Sequence, residues 1–353
     1  MSATSSIAIG NRKIGRDQPP YIIAEMSGNH NGSLEKALEL VTAAARAGAA
    51  ALKLQTYTAD EMTLDLDRDE FVISDPDSLW AGRSLYDLYA EAHTPREWHA
   101  PIFKRCRELG LACFSTPFSP AAVDFLEELK VPAYKVASFE NTDLELIRRI
   151  AATGKPMIIS TGMATLAELD ETVRCARSAG CKELILLKCT STYPSDPADS
   201  NLNTIPHLRD LFACEIGLSD HTPGIGTALA AIALGATVVE KHFTLNRAEG
   251  GVDAAFSLEP RELESLVRES EQAWRALGRI AYGPTEKERK SLIFRRSLYI
   301  TEDLEKGDRL TPQNLRAIRP GLGLPPKYYP TLLGKQVNRK IPRGTPASWE
   351  LIG

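Results

Sequence analysis

The chain has 353 residues, which is enough for one large domain and a small second one. Hydrophobic residues make up 43% and charged residues 25%, as is usual for a soluble globular protein. The net charge of −4 leaves no excess of basic residues, which argues against a nucleic-acid partner.

The sequence predicts a cytoplasmic protein without a membrane partner. The amino-terminal segment MSATSSIAIGNRKIG lacks the apolar stretch of a signal peptide. The longest apolar segment, 225–239, is too short and too rich in glycine to cross a bilayer. The six cysteines form no CxxC pair, so we expect free, buried thiols in a reducing compartment.

Eight short apolar runs alternate with helical patterns along the chain. We predict strands at 21–26, 50–57, 112–118, 133–138, 156–161, 184–193, 215–220 and 238–243. We predict helices at 33–47, 94–109, 119–129, 142–152, 165–178, 201–211, 223–234 and 259–277. This alternation indicates parallel strands with right-handed crossovers, and the count of eight favours a closed (β/α)8 TIM barrel over an open doubly wound sheet.

Several predicted helices begin with residues suited to capping. Ser33 precedes the first helix, and the pairs Thr94 with Glu97 and Thr165 with Glu168 have the spacing of capping boxes. These positions fix where the helices begin.

A long insertion, 58–93, follows the second predicted strand. It is rich in acidic and aromatic residues, which suits a loop over the mouth of the barrel. We expect its aromatic side chains, Phe71, Trp80, Tyr86 and Tyr89, to pack within the protein rather than to stack on a substrate.

The character of the chain changes after Gly278. A charged stretch is followed by short strands and turns without a regular helical period. We therefore predict a catalytic domain at 1–280, with the barrel itself beginning near residue 15, a linker at 281–294 and a turn-rich domain at 295–353.

Two histidines lie just beyond strands in adjacent βα units. His221 and His242 can therefore converge on one divalent ion, for which Mn²⁺, Fe²⁺ and Zn²⁺ are suitable, and Asp220 or Asp253 can add an oxygen ligand or a base. The alternative is a pair of hydrogen-bonded loop histidines. Spacing alone does not decide between them.

Two lysines, Lys53 and Lys135, lie in predicted strands with their side chains near the barrel mouth. Lysines inside a barrel are costly unless they are paired or bind an anion. Hydroxyl donors for such an anion follow neighbouring strands: Ser115, Thr116, Ser138, Ser160 and Ser219. The alternatives are structural ion pairs and a Schiff-base lysine.

Glu25 ends the first predicted strand and is followed by a short, polar, glycine-hinged loop, 26–32. A buried glutamate with a raised pKa can act as a general acid or base. The alternative is a salt bridge from Glu25 to Lys53.

The chain resembles the sialic acid synthase family over nearly its whole length. The resemblance rests on the motifs AEMSGNHNG (24–32), ALKLQTY (51–57), FSTPFS (114–119), YKVASFE (134–140), ISTGMAT (159–165), KCTSTYP (188–194), IGLSDHTPG (216–224) and VVEKHFT (238–244). The carboxy-terminal part is similar to type III antifreeze protein and to the SAF fold.

The resemblance implies an enzyme that condenses phosphoenolpyruvate with an amino-sugar aldehyde to give a nine-carbon 2-keto acid and phosphate. It implies that phosphoenolpyruvate is held by Lys53, Lys135, Ser138, Ser160 and Ser219. It implies that His221 and His242 bind Mn²⁺ or Mg²⁺, that Glu25 acts at the reacting C2 centre, and that Asp253 contacts the sugar.

The resemblance also implies further substrate contacts and a homodimer. The additional substrate-binding residues are Gln55, Ser115, Thr116, Ser191, Tyr193 and Arg319. Arg319 would reach the site of a partner subunit in a domain-swapped homodimer.

Within the family, AEMSGNHNG and KLQTYTADEMTL most resemble the branch that makes pseudaminic acid. Neuraminate synthases more often have Asn where this chain has Ser191. The resemblance therefore implies 2,4-diacetamido-2,4,6-trideoxy-L-altrose as the sugar. The alternatives are an N-acetylneuraminate or legionaminate synthase, a Schiff-base aldolase using Lys135, and an ice- or glycan-binding protein.

Overall fold

The computed structural model describes residues 7–353 and contains two compact units, Met1–Gly278 and Arg279–Gly353. Residues 1–6 lie outside the described part of the chain, and with them the beginning of the segment in which we expect no signal peptide. Each unit has its own hydrophobic core.

A short antiparallel hairpin, β1 (Ile7–Ile9) and β2 (Arg12–Ile14), opens the first unit. The sequence analysis does not predict it. Ile9 and Ile14 are buried in the core of the unit, and the hydroxyl of Tyr21 donates to the carbonyl oxygen of Ile9 at 3.5 Å. Tyr21 is the first residue of the next strand, so the hairpin packs at the amino-terminal end of the sheet.

Eight parallel strands then close into a barrel, which confirms the predicted TIM fold. They are β3 (Tyr21–Glu25), β4 (Ala51–Thr56), β5 (Ala112–Pro117), β6 (Tyr134–Val136), β7 (Met157–Ser160), β8 (Leu184–Cys189), β9 (Glu215–Asp220) and β10 (Val238–His242). They follow one another in chain order, and β10 pairs with β3. The sixth strand is shorter than predicted, so Ser191 and Tyr193 lie in the loop after it.

The helices of this unit fall near their predicted positions. They are α1 (Leu34–Arg46), α2 (Ala59–Met62), α3 (Leu85–Ala92), α4 (Arg96–Glu108), α5 (Pro120–Glu128), α6 (Leu144–Ala151), α7 (Leu166–Ser178), α8 (Thr204–Phe212), α9 (Gly226–Ala233) and α10 (Pro260–Leu277). The short helices α2 and α3 lie inside the 58–93 insertion.

Two of the three predicted helix caps are present. Ser33 accepts a hydrogen bond from the backbone of α1, and Thr165 and Glu168 form a capping box on α7. The capping box at Thr94 is wrong: α4 begins after Pro95 without a side-chain cap, and the hydroxyl of Thr94 lies 3.4 Å from Nε2 of His30. A buried imidazole has taken the place of the helix as the partner of Thr94.

The second unit is rich in turns. Its strands β11 (Ser297–Ile300) and β12 (Leu315–Ile318) pair in antiparallel fashion. A short helix, α11 (Tyr329–Leu332), occurs where the sequence shows no helical period. The segment 281–294 contains a 3₁₀ helix at Glu288–Phe294.

The structure bears on membrane association and on the state of the cysteines. Within residues 7–353, no helix is long and apolar enough to cross a membrane. All six cysteines are free; four are buried and two are partly buried, in agreement with the sequence analysis.

A buried ion pair joins the last two barrel strands on their outer side. Lys241 Nζ lies 2.9 Å from Asp220 Oδ2 and donates to the carbonyl oxygen of Thr222 at 2.6 Å. The other oxygen of Asp220 accepts from the backbone and the hydroxyl of Thr222 at 2.9 and 2.8 Å. The network flanks both His221 and His242 in sequence and therefore fixes the strand ends that carry them.

We expect Lys241→Met to lower the free energy of unfolding by about 3–5 kcal/mol, because it leaves the buried carboxylate of Asp220 without its cation. Urea denaturation measures this loss. Lys36→Met is the matched control, since the pair of Lys36 with Glu249 is partly exposed and contributes at most about 1 kcal/mol. A loss for Lys241→Met no larger than that of the control would contradict the role of the buried pair.

Candidate active site

A cavity of about 640 Å³ lies at the carboxy-terminal ends of the barrel strands. Active sites of TIM barrels occupy this face. Most of the predicted site residues line the cavity: Lys53, Gln55, Lys135, Ser138, Ser160, Ser191, Tyr193, Ser219, His221, His242 and Asp253. The 58–93 insertion contributes the outer wall.

Four buried charged side chains form a network at the base of the cavity. Lys53 Nζ lies 2.9 Å from Glu25 Oε2 and 3.1 Å from Glu240 Oε1. Lys135 Nζ lies 4.0 Å from the same oxygen of Glu240. The two lysines therefore stand on either side of one carboxylate, with the second carboxylate beyond Lys53.

Hydroxyl and amide groups complete this network. Lys135 Nζ donates to Ser160 Oγ at 2.7 Å, and Lys53 Nζ donates to Thr116 Oγ1 at 3.3 Å. Ser219 Oγ donates to Glu240 Oε1 at 3.4 Å. Gln55 Nε2 donates to Glu25 Oε1 at 3.3 Å, next to the backbone N–H of Ser27 at 3.1 Å.

Burial shifts the pKa values of these groups. It raises the pKa of Glu25 to about 7 although Lys53 acts in the opposite direction, and it lowers the pKa of Lys135 to about 8. Burial also acts to lower the pKa of Lys53, but Glu240 and Glu25 outweigh it and hold that pKa above its ordinary value. Glu25 can therefore exchange a proton near neutral pH, while Lys53 remains a cation.

The two histidines lie together, as predicted, with ring centroids 5.4 Å apart. His221 Nδ1 lies 2.8 Å from the carbonyl oxygen of Thr190, which fixes a proton on Nδ1. Burial acts to lower the pKa of His221, but hydrogen bonding to Cys189 outweighs it and raises that pKa. His242 Nδ1 is buried and has no hydrogen-bond partner among the described residues. Burial holds the pKa of His242 well below its usual range, so this ring is neutral.

These features fit a divalent metal ion. Imidazoles on adjacent strands can share one metal ion, and an unpaired buried ring nitrogen such as that of His242 is costly unless a ligand satisfies it. Asp253 Oδ2 lies 3.6 Å from His242 Nδ1. Within residues 7–353, however, no three acidic, cysteine or histidine side chains are placed to hold an ion together. Water and substrate would therefore supply the remaining ligands.

Two serines and a tyrosine line the wall beside His221. Ser191 Oγ donates to Ser138 Oγ at 2.8 Å, and the ring of Tyr193 lies 4.3 Å from that of His221. Gly162 permits this close packing, because a Cβ there would lie 2.5 Å from that of Ser138. This wall of the cavity therefore consists of two serine hydroxyls beside the ring of Tyr193.

Asp253 lies on the loop after β10, held by contacts from other loops. Asn31 Nδ2 donates to the carbonyl oxygen of Gly250 at 3.1 Å, and Ser257 Oγ donates to that of Asp253 at 2.7 Å. Burial raises the pKa of Asp253. Its position therefore depends on side chains outside the strand that precedes it.

Two predicted substrate-binding residues of the barrel, Ser115 and Thr116, do not line this cavity. Ser115 faces the helices: its hydroxyl lies 2.6 Å from that of Thr56, which in turn lies 2.8 Å from His99 Nε2. Its neighbour Thr116 faces Lys53 instead, since successive residues of a strand alternate. Arg319 belongs to the second unit, directly after β12, and its side chain is exposed.

The sequence analysis missed Glu240, which contacts both lysines. It lies two residues before His242 on the same face of β10, so the alternation of that strand could have identified it. It also missed Cys189, a buried thiol in the cavity wall. Burial acts to raise the pKa of Cys189, but hydrogen bonding to His221 outweighs it and lowers the value to about 7.

The geometry is that of a TIM-barrel enzyme with buried cationic groups and two histidines in its cavity, and comparison with known proteins identifies its family. The model of the NeuB family matches residues 40–282, and that of the SAF domain matches residues 295–352. The chain therefore belongs to the NeuB family, which confirms the resemblance found in the motifs and the SAF fold of the carboxy-terminal part.

Individual relatives are similar over nearly the full length. A pseudaminic acid synthase of Campylobacter jejuni is 44% identical, covering 95% of this chain and 97% of that enzyme. An N,N'-diacetyllegionaminic acid synthase of Legionella pneumophila is 34% identical, covering 97% and 99%. The crystal structure of an N-acetylneuraminic acid synthetase from Leptospira borgpetersenii has a TM-score of 0.73 at 32% identity, covering 82% and 95%.

The buried histidine behind Ser115 predicts acid sensitivity. Burial lowers the pKa of His99 to about 4. Its neutral form therefore adds stability that is complete above about pH 6.5 and is lost as the pH falls towards 4. We expect His99→Gln to be less stable at pH 7.5 but to lose about 3 kcal/mol less on acidification to pH 4, by urea denaturation.

His207→Gln is the control, because His207 is exposed on α8. An unchanged acid dependence in His99→Gln would show that other groups cause the loss.

Proposed function

We propose that this enzyme condenses phosphoenolpyruvate with 2,4-diacetamido-2,4,6-trideoxy-L-altrose to give pseudaminic acid and phosphate. The observation that carries the proposal is one cavity containing two buried lysines with serine hydroxyls beside a pair of histidines. The 44% identity to the Campylobacter enzyme, against 34% to the legionaminic acid synthase, supports this sugar.

The lysines suit an anionic substrate with a carboxylate and a phosphate. Lys53 and Lys135 would hold it with donors from Ser138, Ser160 and Ser219 around the base of the cavity. A bound anion would compete with Glu240 for both ammonium groups, and it would raise the lowered pKa of Lys135.

The histidines suit a divalent ion, and imidazole ligands favour Mn²⁺ over Mg²⁺, which prefers oxygen ligands. His221 and His242 would hold it, and when bound it supplies Lewis-acid polarisation of the sugar aldehyde. Asp253, Ser191 and Tyr193 would orient the sugar beside it.

The reaction forms a carbon–carbon bond and a bond from C2 to the oxygen of water, and it breaks the bond from C2 to the bridging oxygen. C3 of phosphoenolpyruvate bonds to the aldehyde carbon, whose oxygen gains a proton from solvent, and water adds at C2. Glu25, whose pKa of about 7 allows exchange near neutrality, takes one proton from that water. The bond between C2 and the bridging oxygen then breaks, the remaining proton of the C2 hydroxyl leaves with phosphate, and the 2-keto acid remains.

One observation also suits a Schiff-base aldolase: the lowered pKa of Lys135 is what an amine nucleophile needs. Against it, Lys135 Nζ donates to Ser160 and to the carbonyl oxygen of Val136 at 3.0 Å, as an ammonium group does. Covalent inactivation by borohydride with substrate bound would support the aldolase.

We further propose a cytoplasmic, domain-swapped homodimer in which Arg319 reaches the sugar site of the partner subunit. The exposed guanidinium of Arg319 and the six free cysteines support this. A monomeric mass in light scattering would contradict the dimer, and recovery from an oxidising compartment would contradict the location.

We expect EDTA to abolish phosphate release and Mn²⁺ to restore it, because the Lewis acid contributes several kcal/mol to the transition state. His221→Ala should lower kcat by orders of magnitude and weaken Mn²⁺ binding measured by electron paramagnetic resonance. His207→Ala, on the exposed face of α8, should change neither. Full activity in excess EDTA would rule out the metal.

Phosphate release with different sugars tests the reaction itself. We expect kcat/KM for the diacetamido altrose to exceed that for N-acetylmannosamine by at least ~10²-fold, because the wrong sugar leaves buried polar groups without hydrogen-bond partners. Ser191→Asn should narrow the ratio, because a longer amide enters the space beside Ser138. Equal values would overturn the choice of sugar, and no release with any sugar would overturn the condensation.

A further inference from the structure

The hairpin-like turn of the insertion forms the roof of the cavity. Val72 and Ser84 are paired, Ile73 N–H donates to the carbonyl oxygen of Arg83 at 2.9 Å, and Gly82 N–H donates to that of Ile73 at 2.7 Å. The turn between them carries Trp80, which lines the cavity. The sequence analysis expected this side chain only to pack within the protein.

Trp80 makes two different contacts. Its indole N–H donates to the carbonyl oxygen of Val252 at 2.9 Å, and its ring lies 5.9 Å from that of Tyr193. Val252 immediately precedes Asp253, and Tyr193 packs on His221. Trp80 therefore contacts the neighbour of Asp253 on one side and the aromatic ring that packs on His221 on the other.

The cavity is unequal in polarity. Its base carries the charged groups of Glu240 and the two lysines. The insertion adds Trp80 and the apolar side chains of Met62, Ile73, Leu85 and Leu88, together with the polar side chains of Asp75, Asp77 and Ser78. An anion bound at the base and an aldehyde beside the histidines leave the rest of a sugar towards this roof. The apolar part of this roof, with the ring of Trp80, suits methyl groups, because removing them from water is favourable.

We propose that Trp80 determines sugar specificity and positions Asp253. Its ring forms the seat for a methyl group of the sugar, from the 6-deoxy carbon or an acetamido group, and its indole N–H holds the loop that carries Asp253. The inference rests on the proposed condensation and adds a residue for which the motifs assign no role.

Two substitutions separate the two contacts. Trp80→Phe keeps an aromatic ring and removes the N–H donor, whereas Trp80→Ala removes both. Trp274→Phe is the matched control, because its indole N–H also donates to a backbone carbonyl oxygen at 2.9 Å, that of Arg16, on the outside of the barrel.

The experiment measures kcat and the KM of each substrate for the Mn²⁺-loaded full chain. We expect Trp80→Ala to raise KM for the diacetamido sugar about tenfold or more, to leave KM for phosphoenolpyruvate within about twofold, and to reduce discrimination against N-acetylmannosamine by about tenfold. We expect Trp80→Phe to keep the discrimination and to lower kcat several-fold. Trp274→Phe should match the wild type.

A second measurement does not require turnover or a folded Trp80→Ala variant. Addition of the sugar to the enzyme with phosphoenolpyruvate omitted should change tryptophan fluorescence in the wild type and in Trp274→Phe, and the change should be lost in Trp80→Phe. An equal rise of both KM values, unchanged discrimination in Trp80→Ala, or a fluorescence change retained in Trp80→Phe would each overturn the proposal. In these cases the wild type still releases phosphate, whereas a wild type without phosphate release refutes the condensation and this inference with it.

Discussion

The interior of the barrel mouth must keep four buried charges in balance. Glu240 lies between Lys53 and Lys135, and Glu25 holds the far side of Lys53. Removing a charge from water costs several kcal/mol unless an opposite charge close by offsets the penalty. Each of these side chains is therefore held in place by its neighbour. An arriving anion disturbs this balance, and Glu25 is the member that takes up a proton most readily near neutral pH. Binding of substrate and protonation of the site are therefore linked.

The site divides into a rigid part and an adaptable part. The charged network and the histidines stand on or directly after barrel strands, and the Lys241–Asp220 pair joins the two strands that carry the histidines. The opposite wall of the cavity stands on loops, which are joined by hydrogen bonds such as that from Trp80 to Val252. In the proposed reaction, the bond-forming groups therefore stand on the sheet and the groups beside the sugar stand on loops.

The sequence analysis succeeded where a regular pattern carries the information. The apolar runs predicted the eight strands, and their polar ends predicted Lys53, His221 and His242. It could not tell the two faces of a strand that is buried on both sides, so Ser115 was placed with Thr116 and Glu240 was overlooked. The sequence analysis also could not predict long-range contacts. The residues near Thr94 in sequence give no sign that its hydroxyl pairs with His30 instead of capping the helix.

The alternation of side chains along β10 limits which insertions and deletions the chain can tolerate. Glu240 and His242 face the cavity while Lys241 faces the helices. Deletion of one residue early in the strand would therefore turn a lysine into the cavity and a carboxylate towards the helices. Insertions and deletions are therefore excluded from the strands. The connection between β4 and α4 has no such register, so a change in its length leaves the facing of every barrel residue unchanged.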